Sequence, residues 1–273
     1  MKIKHIFFPL IITTILICQN CFAVRELPAK KIKVITTTSH LSSIINEICQ
    51  DKVEIVNIIP PTMCPGTYDL EPDTLKKISK ANIIMYHHWQ QSWIKDLKHK
   101  IYKIGLIYRE IKTEGNFMIP YINLRAAKEI KDLFMIWDYD NKDFYEINFI
   151  NYAYKINSLS EEISKNHSLR YNRKTICNTQ IEDFLQWLGF TVVMKYNKAE
   201  NITPAEMKML TKKAKNEKVS IVIDNLQAGT DIGRALSKDL KIKHITISNF
   251  PLGNSYFSTL EDNISKIDKA LQQ

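Results

Sequence analysis

The sequence predicts an α/β protein of two lobes, each built on a roughly four-stranded, mainly parallel sheet flanked by helices, with one long backbone helix joining them. Three observations carry this expectation. Short β-rich runs alternate with amphipathic segments, the pattern of parallel βαβ units. The alternation runs through 33–100 and again through 174–271. Between these halves, no Gly or Pro falls from Asp138 to Tyr171, although the chain carries 7 Gly and 9 Pro.

In the first half, strands are expected at 33–38, 53–59 and 82–86, with helices at 41–49, 73–81 and 90–100. In the second, strands are expected at 174–177, 191–196, 220–223 and 244–248, with helices at 181–188, 204–217, 232–239 and 256–271. Thr203 before Pro204 is an N-cap followed by a proline suited to a first helical turn. Across 141–166, Tyr145, Ile147, Ile150, Tyr152, Ile156, Leu159 and Ile163 recur at roughly helical spacing. A flexible linker is rich in Gly or Ser, and a stiff extended one in Pro. This interval therefore reads as a helical strut, which predicts small tilts around a ligand rather than wide hinge closure.

The first 23 residues read as an export signal. Lys2 and Lys4 form a positive start, 6–17 is mostly apolar, and Cys21-Phe22-Ala23 places small residues for a cut after Ala23. The apolar stretch is too short to cross a bilayer as a helix. Cys18 follows Ile17 and Cys21 follows Asn20, whereas a lipid-modified Cys normally follows a small residue. The expected organisation is 1–23 signal peptide, 24–140 N-terminal lobe, 141–172 connecting helix and 173–273 C-terminal lobe. A periplasmic monomer is expected.

Cleavage leaves Cys49, Cys64 and Cys177, an odd number that permits at most one disulfide within the chain. Cys49 closes a helix with the apolar face Leu41, Ile44, Ile45 and Ile48, and reads as core. The formal charge of +9 comes from lysines scattered among acidic residues, as in Lys76-Lys77 and Lys212-Lys213. Such a pattern marks a solvated surface, and no basic stripe interleaved with aromatics points to nucleic acid. No G-x-S-x-G, P-loop, H-E-x-x-H or G-x-G-x-x-G pattern is present, so catalysis is not expected.

Ligands of open parallel sheets bind outside the carboxyl ends of the strands. The exits to interrogate are Ser39-His40, 60–66 and Tyr86-His87-His88 in the first half. In the second they are Asn178-Thr179, Asp224-Asn225 and Asn249-Phe250-Pro251.

At these exits a resemblance becomes specific. The opening Thr-Thr-Ser, the DKVEI turn, the double Pro60-Pro61, the P-x-T-Y-x-x-x-P core from Pro65 to Pro72 and the LKKISKA helix resemble one family's N-terminal lobe. That family is the periplasmic zinc- and manganese-binding proteins of bacterial ABC importers, the cluster A-I solute-binding proteins. IEDFLQWLGF at 181–190, and Tyr256 and Asn263, are similar to its later segments. The resemblance implies capture of a small solute or metal ion and delivery to an ABC permease in the inner membrane. It also implies a metal held by four side chains, and none of them matches. The positions fall on Gly66, Tyr121, Asn178, and Phe250 or Asn249, and a frequent Glu reads Asn225.

Zinc is held by N, S or carboxylate donors, and manganese by oxygen-rich sets. Gly and Phe supply none, so the inherited site does not work as built. Three readings stay open. A rebuilt site would draw on His40, Cys64, His87, His88, Cys177 and Asp224, with thiols and imidazoles favouring Zn or Cu(I). A Cys64–Cys177 disulfide clamping the lobes is also compatible with their placement. Alternatively, Tyr68, Tyr121, Asn178, Asn225, Asn249 and Phe250 form an aromatic and amide-rich pocket for a neutral organic ligand or a chelated metal. In the third reading the lobes close without ligand and the protein docks to a partner.

Overall fold

The computed structural model describes residues 31–101, 103–197, 202–253 and 255–272, so the expected signal peptide lies outside the described residues. Its first half runs β1 (Ile32–Thr36), α1 (Ser39–Cys49), β2 (Val53–Asn57), α2 (Pro72–Ser79), β3 (Ile83–His87), α3 (Gln91–Lys100) and β4 (Ile107–Ile111). Then come α4 (Pro120–Trp137), α5 (Lys142–Lys165) and the short α6 (His167–Arg170). The second half runs β5 (Lys174–Asn178), α7 (Glu182–Trp187), β6 (Thr191–Tyr196), α8 (Pro204–Glu217), β7 (Ile221–Asn225), α9 (Asp231–Leu240), β8 (Lys243–Ile247) and α10 (Tyr256–Gln272).

The strands form two four-stranded sheets of order β2-β1-β3-β4 and β6-β5-β7-β8. Every pairing is parallel, with Val34 opposite Ile83 and Thr175 opposite Ile221 at the two centres. Strands covered on both faces read as continuous apolar runs, and β3 and β7 are buried at every residue. The edge strand β4, Ile-Tyr-Arg-Glu-Ile, alternates exposed with half-buried positions, and its weak apolar signal is why the sequence reading did not anticipate it. In each sheet the chain steps from β1 to β2, or β5 to β6, on one side, and then crosses back to β3, or β7, on the other. The exits of β1 and β3, and of β5 and β7, therefore meet at a topological switch point, where ligands of such sheets bind.

Local chemistry explains the helix starts. Thr203 Oγ1 accepts from the Glu206 N–H while the Glu206 carboxylate reaches back to Thr203, a capping box in front of Pro204. Pro72 and Pro120 likewise open α2 and α4, where a missing N–H costs nothing.

The connecting helix α5 packs on α4 and α1. Tyr152 donates to Asn123 Oδ1 at 2.6 Å, and Asn148 donates to the Ile48 carbonyl at 2.9 Å. Its buried stripe is Tyr145, Tyr152, Ile156 and Ile163, whereas Ile147 and Ile150 face outward at 59% and 57% exposure. The periodicity was therefore right for the helix but included two positions from its solvent face. One apolar cluster runs from Val34 and Ile44 through Ile130 and Tyr152 to Phe184, Ile221 and Leu260. One face of each sheet thus packs into this shared core, while Ile35 and Ile84 of the first sheet and Ile176 and Val222 of the second belong to separate clusters. Among the described residues, no helix is long and apolar enough to cross a membrane.

Candidate functional site

A cleft of about 430 Å³ opens where the two sets of strand exits face each other. His40, in the first turn of α1, and His87, the last residue of β3, form part of its wall. Their rings lie 6.4 Å apart, edge to face. The switch point of the first sheet brings them together, because β1 and β3 are neighbours there.

Aromatic rings fill in around them. His40 lies 5.0 Å from Phe250 and 5.6 Å from Phe117, and His87 meets Phe117 at 4.6 Å. Trp89 stacks on His87 at 5.5 Å and remains 56% exposed at the mouth. Cys64, Pro65, Gly66, Gly115, Asn116, Thr179, Gln180, Asp183 and Asn249 complete the lining.

Hydrogen bonds cross between the lobes on this wall. His40 Nε2 lies 2.8 Å from the Asn249 carbonyl oxygen, and Asn116 Nδ2 donates to Asn249 Oδ1 at 2.7 Å and the Gln180 carbonyl at 3.0 Å. Gln227 Nε2 donates to the Pro61 carbonyl at 2.7 Å. A carbonyl only accepts, so the proton of His40 sits on Nε2 and Nδ1 keeps its lone pair. His40 Nδ1 is buried and has no hydrogen-bond partner among the described residues. His87 Nε2 lies 2.7 Å from Thr38 Oγ1. Burial lowers the His40 pKa to about 4, against a raising effect from the Asn249 carbonyl. Burial, reinforced by the adjacent His40, lowers that of His87 to about 3. Both rings are neutral at physiological pH.

The remaining candidates lie elsewhere. His88 is half-exposed and bonds Glu110 at 2.6 Å on the outer side, with Gln91 beside it. Cys177 is buried in β5, where burial and then Glu182 push its thiol up to about 12, and it does not line the cleft. Cys49, Cys64 and Cys177 are free thiols, so the clamp between Cys64 and Cys177 is not formed. Asp224 is fully buried between the Tyr196 hydroxyl and His244 Nε2, the latter 2.6 Å away. Among the described residues, no group of three or more His, Cys, Asp and Glu is arranged to hold a metal ion.

The positions carried over by resemblance divide in the same way. Gly66, Asn249 and Phe250 line the cleft. Asn178 caps the turn after β5 by accepting from the Gln180 N–H, and Asn225 donates to Gln180 Oε1 at 2.6 Å. These two amides organise the wall from behind. Tyr68 lies in a neighbouring groove with Met63 and Cys64. Tyr121, in the first turn of α4, is 57% exposed and outside the cleft lining. From that segment Gly115, Asn116 and Phe117 reach the cleft instead. Sequence reasoning missed these three, together with Trp89, Gln180 and Asp183. The signal that would have found Trp89 was its place directly after the His87-His88 exit.

The profile described as "Zinc-uptake complex component A periplasmic" matches residues 34–111 and 117–270. The five residues it skips include the cleft-lining Gly115 and Asn116. The metal ABC transporter substrate-binding lipoprotein FimA of Streptococcus parasanguinis is 27% identical, over 89% of this chain and 90% of its own. The manganese ABC transporter substrate-binding lipoprotein PsaA of Streptococcus pneumoniae is 26% identical with the same coverage. Among solved structures, ZnuA superposes with a TM-score of 0.76 at 19% identity, covering 88% of this chain and 99% of that one. With nearly the whole of 34–270 matched, the chain belongs to the zinc-uptake complex component A family of metal ABC transporter substrate-binding proteins.

Proposed function

We propose that this chain is an exported solute-binding component that delivers cargo to an ABC permease, and that its cargo is a neutral organic solute or an already chelated metal rather than a bare divalent ion. The observation that carries the second half is the cleft wall. Beside the Cys64 thiol and the Asp183 carboxylate it offers two neutral imidazoles, three aromatic rings and several amides, no three such donors gather to hold a metal among the described residues, and the family ligand positions Gly66 and Phe250 carry no side-chain donor. Bare zinc or manganese needs three or more N, S or carboxylate donors at bonding distance. Aromatic walls with a few placed polar groups are instead the makeup of small-molecule sites.

The relatives' names supply the transport role, and several of them are named as lipoproteins. For this chain we favour cleavage after Ala23 and a free periplasmic monomer, since neither early Cys follows a small residue. The protein binds and releases its cargo without chemistry, and the lobes keep the boundaries expected from sequence.

The test is what co-purifies. Chain isolated from its own cells is denatured, and the extract is read for metals by plasma mass spectrometry and for organic compounds by liquid chromatography–mass spectrometry. An organic compound in stoichiometric amount is expected, alone or with metal in its own chelate. Stoichiometric zinc or manganese without any organic partner contradicts the reading.

A further inference from the structure

Lysines that look scattered along the sequence are gathered by the fold on the outer face of α8. Lys208, Lys212 and Lys215 stand at i, i+4 and i+7, and Met209, Lys213 and Asn216 form an adjoining column one residue on. Columns at that spacing share one side of a helix. All six residues are exposed, whereas Leu210 and Ala214 on the opposite side are buried in one cluster with Val222, Ile232 and Leu236.

No carboxylate interrupts the two columns. Glu206 and Glu217 flank them and are both engaged, Glu206 in the capping box with Thr203 and Glu217 with Lys174 at 2.8 Å. The ion pairs of this region use other lysines, Lys174 with Glu217 and Lys195 with Glu182. Among the described residues, the four lysines of the face have no acidic partner within salt-bridge distance. The neighbouring α9 adds exposed Arg234, Lys238 and Lys241 against exposed Asp231 and Asp239. Like charges at i, i+4 weaken a helix, so Lys208 and Lys212 carry a local cost that an anionic partner would remove.

The chemistry of the face points to lipid. Lysine carries a compact charge on a flexible apolar stem, which suits headgroup phosphates better than planar recognition. The two columns hold no aromatic ring on which a nucleic-acid base would stack. Among the lysines stands Met209, 54% exposed, an apolar side chain of the kind an acyl boundary receives.

We propose that this face docks the protein reversibly on the anionic phospholipid surface of a bilayer, with the four lysines on headgroup phosphates and Met209 at the acyl boundary. The docking is independent of the cargo. Its purpose, though not its test, rests on the proposed transport role: it keeps an exported chain without a lipid anchor close to the membrane that holds a permease.

The test is flotation of the exported chain with vesicles of about one-third phosphatidylglycerol in phosphatidylcholine, and with vesicles of phosphatidylcholine alone. Each lysine held near an anionic surface strengthens binding by about fivefold. Binding is expected to the anionic vesicles only, and to be lost at about 0.5 M salt. Combining Lys208→Gln, Lys212→Gln, Lys213→Gln and Lys215→Gln is expected to weaken it by on the order of a hundredfold. The same number of changes in the first lobe, Lys77→Gln, Lys80→Gln, Lys95→Gln and Lys100→Gln, is expected to weaken it by less than about threefold. Met209→Gln, which keeps every charge, is expected to weaken it by about threefold. Equal losses in the two quadruple variants assign the binding to net charge and overturn the role of α8. Absence of binding to the anionic vesicles, or binding insensitive to salt, overturns the docking outright. So does an affinity for a DNA duplex that equals, phosphate for phosphate, that for the vesicles. Melting temperatures matching the natural protein's show that the variants are folded; if the α8 variant is not, the salt and Met209→Gln results decide in its place. None of these outcomes bears on the cargo reading.

Discussion

His40 and His87 illustrate how one residue's surroundings set its contribution to the whole. Their folded pKa values, about 4 and about 3, lie below the ordinary value of about 6.5 chiefly because burial penalises the charged ring. The unfolded chain therefore takes up protons first as pH falls, and stability is lost from about 6.5 downward through those folded values. At pH 5 each histidine is expected to have cost about 2 kcal/mol relative to neutral pH. Urea unfolding at the two pH values checks this, and His40→Phe is expected to remove about half of the difference. A second case is Gly233, where a Cβ would collide with the Asp224 carboxylate. Gly to Ala inside a helix ordinarily gains up to about 1 kcal/mol. Here overpacking against a buried, hydrogen-bonded carboxylate outweighs that gain, and Gly233→Ala is expected to lose about 1–3 kcal/mol in the same assay. The sequence offered His40, Cys64, Gly66, His87, Asn249 and Phe250 as site residues, and all six line the cleft. They were legible because His40 and His87 sit at or just beyond the ends of the apolar strands β1 and β3, Asn249 and Phe250 follow β8, and Cys64 and Gly66 fall beside or within the P-x-T-Y core. Asn116 and Phe117 were not, because they follow the half-polar edge strand β4, whose exit periodicity does not mark.

At the scale of elements, every strand but β4 was legible from alternation, and the boundaries of the elements expected lie within two residues of those observed. What alternation cannot supply is the direction in which a turn points. Tyr121 follows Pro120, which opens α4, so its side chain belongs to a helix surface rather than a strand exit. The connecting helix was legible from periodicity and from its lack of Gly and Pro, but its anchor was not. Arg170, 1% exposed, donates to the Ile163 carbonyl at 2.6 Å, and its Nε lies 3.3 Å from Asp268 Oδ1. It thereby ties the end of α5 and α6 to α10. Burial lowers the Arg170 pKa while Asp268 opposes it, and burial likewise raises that of Asp268 against the pull of Arg170. Removing one partner of such a pair strands the other, so Arg170→Ala is expected to destabilise by about 3–5 kcal/mol. Replacing both with apolar residues of similar volume is expected to restore most of the loss, measured by denaturant midpoint.

Across the whole molecule, one apolar cluster runs through both lobes, with α4, α5 and α10 as its shared wall. Opening the lobes widely would expose this core, so in the proposed role cargo exchange falls to local bonds: those joining His40 and Asn116 to Asn249 on the cleft wall, and that of Gln227 to Pro61 beside it. In the reading proposed above, the family scaffold is kept while its cleft serves a cargo other than a bare ion; among the described residues no three His, Cys, Asp or Glu gather to hold a metal. The most direct test of that account is calorimetric titration of the reduced, metal-free chain with zinc, then with manganese. The account predicts no saturable binding by either ion beyond the weak association of surface carboxylates and imidazoles. Saturable binding of about one ion per chain, tight enough to raise the melting temperature and lost in His40→Phe or Cys64→Ser, would contradict it.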